Sequence, residues 1–321
     1  MQKTFCSAAL QRLHFPASPD FEGFWVMQQA IEKAAALVEA HEYIRRFRGK
    51  IVVVKVGGSI MDEPATLASL VGDVCFMAAV GIKPIIVHGG GKGITDAMKT
   101  AGLEAHFVQG RRYTDERTLA IAEHVLVNVI NKQIQEQIAQ SGHKPMGLHS
   151  LASCAVFAKK LFLEVPGESG GPSRKVDIGF VGDVAWVNGE LLRAVTEANY
   201  IPVIAPIARD QAGGKLNVNA DSVAGHVAAA VKAEKFVLVS DTHGIRTSES
   251  ADSLASHLTK SQIEGLVDSG VISAGMLPKV EATLIALEAG VAKAHIIDGR
   301  IPHSLMLEVY TEKGIGTEIV L

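Results

Sequence analysis

Cysteine is scarce in this 321-residue chain. Cys6, Cys75 and Cys154 form an odd set without CxxC or Cys/His ligand spacing, which argues against a disulfide scaffold and a structural zinc site. An excess of basic charge is also missing. Lys plus Arg total 31 against 34 for Asp plus Glu, a formal charge of −3, so no nucleic-acid partner is expected. No apolar run approaches the roughly 20 residues of a membrane helix, because Asp73 and Lys83 interrupt the most hydrophobic region. The twelve histidines show no HExxH or paired-ligand spacing, so no protein metal site is expected. A GxSxG element and a catalytic-cysteine context are absent as well. The standard nucleotide fingerprints fail too. Gly93 follows Lys92 where a Walker A loop needs Ser or Thr, and Asp96 stands where GxGxxG needs its last glycine. Aromatics are only 5% and charged residues 20%, yet hydrophobic residues reach 48%. That is too apolar for disorder and too aperiodic for a fibre. A soluble, cytoplasmic protein is expected.

At roughly 100–200 residues per domain, the length predicts about two domains. The first 49 residues stand apart. Met1 to about Pro19 lacks a continuous apolar core, so a secretory signal is not expected. From about Phe24 to Arg48 the spacing predicts a helix with Met27, Ala30, Ile31, Ala34 and Val38 on one face. It ends in the basic run Tyr43-Ile-Arg-Arg-Phe-Arg-Gly-Lys50, as suits the negative end of a helix dipole.

Beyond it, apolar strands alternate with helices. Strands are expected at 51–56, 84–88, 201–206, 235–239 and 294–297, and helices at 64–80, 220–232 and 278–289. A long helix is expected from Asp115 to Gln140, with Leu119, Ala122, Leu126, Val129 and Ile134 inward. Residues 144–187 read as short strands and turns, including the glycine- and proline-rich stretch Pro166–Pro172. Repeated strand–helix–strand units imply an α/β fold, a mostly parallel sheet covered on both faces. Such sheets bind ligands at the carboxyl ends of their strands.

Several of those ends carry chemistry. Lys55-Val-Gly-Gly58 sets a lysine beside two glycines, whose backbone can approach an anion closely. His88-Gly-Gly-Gly91 leads from a strand into a helix amino-terminus, another anion-binding arrangement. Asp221 opens a helix and, taken alone, reads first as an ordinary first-turn or capping acid. Lys279 sits in a first helical turn, against the helix dipole, a conflict that a bound phosphate would remove. His88 itself reads as a structural hydrogen-bonding residue.

In order along the chain, Lys55-Val-Gly-Gly58, His88-Gly-Gly-Gly91, Gly110-Arg-Arg-Tyr-Thr114, Gly179-Phe-Val-Gly182, Asn217-Val-Asn-Ala-Asp221 and Gly275-Met-Leu-Pro-Lys279 resemble the amino acid kinase family. The resemblance runs from about Tyr43 to Leu321 and is greatest to the branch that phosphorylates N-acetyl-L-glutamate in arginine biosynthesis. It implies a three-layer αβα sandwich, with ATP as phosphoryl donor and Mg2+ held mainly by phosphates and water. Lys55 and Lys279 would stabilise charge on the moving phosphoryl, and Asp221 would orient both lysines. Gly57 and Gly58 would supply N–H groups to the nucleotide. Asp241, Thr242, His243, Gly244, Ile245 and Arg246, with Val271, Ile272 and Ser273, match nucleotide-holding positions. Gly90, Gly91, Arg112 and Asn217 match positions that hold the acylated amino acid.

The resemblance extends to control. Arginine-inhibited members carry an extra amino-terminal helix that interlaces dimers into a hexamer, and the segment ending at Lys50 is similar to it. Tyr43, His295, Glu308 and Gly314 match that branch's arginine site. A homo-oligomer, a dimer or hexamer, is therefore implied. The domain reading becomes an extension, 1–49, and one kinase domain, 50–321, with an acceptor-binding lobe at about 50–187 and a nucleotide-binding lobe at about 188–321. Where the branch usually reads Gly-Leu-Arg-Val-Thr, this chain has Arg111 and Tyr113, and Lys92 replaces a common proline. An aminoadipate derivative is thus an alternative acceptor, and a non-catalytic arginine- or ATP-sensing module an alternative role.

Overall fold

The computed structural model describes residues 21–150, 152–165, 173–248, 250, 253–272, 275–311 and 314–321. Cys6, the stretch Pro166–Pro172 and Ser273 lie outside the described residues. The chain divides into two units, Met1–Glu42 and Tyr43–Leu321. Helix α1 (Phe21–Phe47) starts in the first and ends in the second, with Arg45 and Arg46 in its last turn. Its apolar positions Met27, Ile31 and Val38 are exposed, since α1 is the only element among the described residues of the first unit.

The second unit begins with β1 (Ile51–Val56), a short helix α2 (Gly58–Met61), α3 (Pro64–Ala79) and β2 (Lys83–His88). Pro64 opens α3 where no donor is needed, and Leu67, Leu70, Val71 and Val74 turn inward as their spacing demands. Then come α4 (Gly91–Thr100), the small ladder β3 (Phe107–Val108) and β4 (Arg111–Arg112), and α5 (Glu116–Glu123). A π-helical segment, His124–Asn131, joins α5 to α6 (Lys132–Gln140), followed by β5 (Lys144–Leu148). The strands β6 (Val156–Val165) and β7 (Arg174–Val187) precede α7 (Gly189–Glu197), β8 (Tyr200–Ile204), β9 (Ile207–Arg209) and β10 (Lys215–Val218). The remainder is α8 (Ala220–Val231), β11 (Lys235–Ser240), β12 (His257–Thr259), α9 (Lys260–Asp268), α10 (Leu277–Glu288), β13 (Lys293–Asp298), α11 (Ser304–Tyr310) and β14 (Thr317–Val320).

Eight strands form one sheet in the order β12-β14-β13-β11-β1-β2-β8-β5. From β13 to β5 all neighbours are parallel, and β14 runs antiparallel to β13. Helices cover both faces, so the central strands are apolar on both sides: Val52, Val53 and Val54 are fully buried. β10, β7, β6 and β9 close a small barrel beside the sheet. Strand β1 is where the order changes direction, with β2 on one side and β11 on the other. The crevice at its carboxyl end is the place such sheets offer a ligand.

Two expectations shift. The helix 115–140 forms, but its π segment adds a residue to one turn and rotates the turns beyond it. Val129, within it, is exposed, while Ile130, Ile134 and Ile138 are buried and Asn131 faces the core; Leu119, ahead of the segment, is half-buried. The lobe boundary set at 187/188 does not coincide with the change of side in the sheet. β8 inserts between β2 and β5, and β9 and β10 join β6 and β7 in the barrel, so the chain crosses to the β11 side of the sheet only after residue 218.

Helices α8 and α10 touch at Gly225, where a Cβ would lie 2.5 Å from the Ala282 carbonyl oxygen. Gly225→Val is expected to cost about 1–3 kcal/mol by overpacking this contact, read as a lowered urea midpoint. An unchanged midpoint would mean the helices have room to spare.

Candidate functional site

At the carboxyl end of β1, the Lys55 ammonium lies 2.8 Å from Oδ1 of Asp221, and both residues are buried. The capping duty that Asp221 could have carried falls to Asn219, whose side chain accepts from the Ser222 N–H at 3.0 Å. Asp221 is left to face the lysine. Burial by itself would raise its pKa, but the charges of Lys55 and Lys279 outweigh that and hold it below the usual carboxylate range. Lys279, in the first turn of α10, donates to the Gly275 carbonyl at 3.2 Å. The α8–α10 contact thus delivers one acid and one base to a point that β1 supplies with a second base.

Two glycine loops meet there. A Cβ on Gly58 would sit 3.5 Å from the Gly91 nitrogen and 3.8 Å from that of Gly90. The expectation that Gly57 offers its N–H to a nucleotide is corrected: that N–H already donates to Val239 O at 2.8 Å. Gly57 serves close approach instead, since a Cβ would lie 3.0 Å from the same oxygen. Gly90 is closely covered by side chains, since a Cβ would fall 2.6 Å from Leu126 Cδ2 and 2.7 Å from Ile130 Cδ1 and these would have to move.

The second loop is held by a buried network that sequence reasoning missed. Asn131 donates to His88 Nε2 at 3.0 Å and to Val203 O at 2.9 Å, and accepts from Gln135 Nε2 at 2.7 Å. Gln135 in turn accepts from the Gly147 N–H at 3.1 Å. With Nε2 accepting, the network assigns the His88 proton to Nδ1, which donates to Gly89 O at 2.8 Å. Burial lowers the His88 pKa from 6.5 to about 4, so the ring is neutral. As a polar residue in an apolar stretch Asn131 gave no signal of this role, which its partners on β2 and β8 decide.

Beside the second glycine loop, Arg112 donates from Nη2 to Gly91 O and to Thr95 Oγ1, both at 2.8 Å, and stacks over Phe107. Asn217 donates to Thr114 Oγ1 at 3.4 Å. Gly90, Gly91 and Arg112 are therefore adjoining, with Asn217 on β10 beside the loop after β4.

A cavity of about 450 Å³ opens beyond β11, lined by Asp241, Thr242, His243, Gly244, Ile245, Arg246, Val271 and Ile272, all expected, and by Met276, Ser248 and Arg300, which were not. The acid-glycine-arginine turn after β13 was the signal that could have found Arg300. A second cavity, of about 660 Å³, collects Tyr43, His295, Glu308 and Gly314 with Lys235, Lys293 and Glu318. His295 and Glu308 are buried and 2.6 Å apart. Burial disfavours the Glu308 carboxylate, but His295 and the N–H groups of Ile315 and Gly316 outweigh it and lower its pKa. Gly314 has φ +59°, and a Cβ there would meet the Glu308 carboxylate at 2.7 Å. Only glycine lets the turn close on that acid.

Residues 50–298 match the model of the amino acid kinase family. The acetylglutamate kinase of Heliobacterium modesticaldum is 46% identical over 92% of this chain and all of its own length. That of Geobacter sp. strain M21 is 44% identical over 91% of this chain and 99% of its own. Among solved structures, an N-acetylglutamate synthase from Neisseria gonorrhoeae complexed with coenzyme A and N-acetyl-glutamate superposes with a TM-score of 0.77 at 24% identity. It matches 90% of this chain, and this chain spans 63% of it, a likeness of fold.

Neutral burial of His88 has a pH consequence. Above about pH 6.5 the ring is neutral folded or unfolded; below it the unfolded chain takes a proton that the folded one refuses until about pH 4. Stability is therefore lost as pH falls through that window, by up to about 3 kcal/mol. Urea midpoints at pH 7 and 5 should differ less for His88→Gln than for the unsubstituted protein. Equal differences would show that His88 titrates normally.

Proposed function

The chain belongs to the amino acid kinase family, and from that premise we propose that it is an acetylglutamate kinase, transferring the γ-phosphoryl of ATP to the side-chain carboxylate of N-acetyl-L-glutamate. The observation that carries this reading is the buried Lys55–Asp221 pair, with the charge of Lys279 beside it, at the meeting of two glycine loops. The relatives named acetylglutamate kinase, 44–46% identical over nine-tenths of the chain, support the choice of acceptor.

The acceptor carboxylate is ionised at neutral pH, so no general base is needed. One of its oxygens attacks the γ-phosphorus as the bond to the β–γ bridging oxygen breaks, giving an acyl phosphate and ADP. The work left to the protein is alignment and charge neutralisation. Lys55 reaches the transferring group from β1 and Lys279 from α10, while Asp221 keeps both ammonium groups aimed between donor and acceptor. Gly90, Gly91, Arg112 and Asn217 hold the acceptor, and the cavity beyond β11 holds the nucleotide. Magnesium would enter with the nucleotide, held by phosphate oxygens and water. Among the described residues no cluster of three His, Cys, Asp or Glu stands ready to hold a cation alone, and Asp241 is the carboxylate nearest at hand on the cavity wall.

The cavity around Glu308 is proposed as an arginine effector site. His295 gives its Nδ1 proton to Glu308, and its buried Nε2 acceptor has no partner among the described residues. A guanidinium supplies the missing donor and meets the carboxylates of Glu308 and Glu318. The exposed apolar face of α1 is proposed as a contact between copies of this chain, in a dimer or hexamer.

Lys55→Ala, Lys279→Ala and Asp221→Ala are each expected to cut turnover by about 10²-fold or more while leaving the circular dichroism spectrum intact. Trapping the acyl phosphate with hydroxylamine reads this out. Near-normal turnover of folded Lys279→Ala defeats the mechanism, a preference for N-acetylaminoadipate moves it to another acceptor, and no hydroxamate with any acceptor leaves a sensing module.

Glu308→Gln should raise the arginine concentration needed for half-inhibition by about tenfold or more. Activity that ignores millimolar arginine in the unsubstituted protein would remove the effector site.

A further inference from the structure

We infer that Arg300 contacts the polyphosphate of the nucleotide, its guanidinium aimed into the cavity by Asp298. The inference rests on the reading of this cavity as the nucleotide site and assigns a residue to it that the family resemblance does not.

Asp298 is the last residue of β13, in register with Ser240 of β11, and is 1% exposed. The turn after it is clamped to the sheet. Gly299 donates to Ser240 O at 2.8 Å, and a Cβ on Gly299 would collide with Val239 and Ile60. The chain therefore cannot drift at this point, and the next residue, Arg300, emerges on the cavity wall. Its backbone N–H donates to Asp298 Oδ1 at 2.9 Å, its Nε to Oδ1 at 2.9 Å, and its Nη2 to Oδ2 at 2.6 Å. His243, on the same wall, brings Nδ1 within 3.0 Å of Oδ2. One buried carboxylate thus organises two nitrogen-bearing side chains from two strands at the carboxyl edge of the sheet.

A guanidinium has five N–H donors, and this fork leaves Nη1 and part of Nη2 unspent. Arg300 is more than half exposed, so the pair adds little to stability. What it achieves is orientation: the planar donor set is fixed before a ligand arrives, which reduces the entropy lost on binding. A phosphate is the anion that such a fork recognises. The neighbouring surroundings agree, since the buried Thr242 hydroxyl on the same wall has no hydrogen-bond partner among the described residues. Lys55 and the Gly57–Gly58 loop lie along the adjoining end of β1, so a polyphosphate leaving them passes the end of β11 and reaches Arg300.

The test uses the full chain. ATP and ADP are titrated by calorimetry and adenosine by ligand-observed NMR, with the unsubstituted protein and Arg300→Gln. Weakening of ATP and ADP by about tenfold or more, with adenosine changed by less than about twofold, is the expected result. Equal weakening of all three would mark Arg300 as a structural partner of Asp298 alone, and unaltered ATP and ADP binding would equally overturn the inference. Failure of the unsubstituted protein to bind any of the three would instead remove the nucleotide reading beneath it.

Discussion

Lys55 and Asp221 are both withdrawn from water, and neither charge could be buried without the other. Breaking such a pair by removing one partner typically costs about 3–5 kcal/mol, so the junction of β1 with α8 is committed to this contact. That commitment governs the surroundings. The Asn219 cap relieves Asp221 of the helix end, and Gly225 lets α10 lie against α8. Lys279 is thereby brought into range of an acid that already has one cation. An acid with two lysines around it has a surplus positive charge, and a surplus of that sign is what a transferring phosphoryl requires.

The second glycine loop owes its shape to a different device. A neutral imidazole, a carboxamide from the π turn and a second carboxamide one helical turn on form a chain of donors and acceptors from β2 to β5. Each polar group inside it has a partner, which is the condition under which a buried network rigidifies rather than weakens a fold. The π turn is an irregular piece of helix packed against the second glycine loop. Within it Asn131 faces the core while Leu126 and Ile130 close over Gly90.

Strand β13 joins two cavities. His295 in its middle faces the Glu308 pocket, and Asp298 at its end organises the wall of the cavity beyond β11. Helix α11 then returns the chain to the first pocket through Glu308. A short stretch of covalent structure therefore carries groups from both sites.

Much of this was legible without coordinates. Aliphatic runs of six residues marked the central strands, and a proline and an inward stripe marked α3. Glycine, acid or lysine at successive strand ends pointed to the carboxyl edge of a parallel sheet. Those signals are local, because hydrophobic periodicity and glycine's backbone freedom act within a few residues. Three things were decided only by the tertiary structure. Gly57 turned out to be spent on β11, because its N–H meets a strand distant in sequence. Asn131 became a core residue and Gln135 its half-buried partner, because the groups they bond, His88, Val203 and Gly147, sit on three different strands. Arg300 reached the cavity beyond β11, because β13 lies beside β11 and ends level with it. In each case the partner is far along the chain, and only the packing of the sheet determines who that partner is.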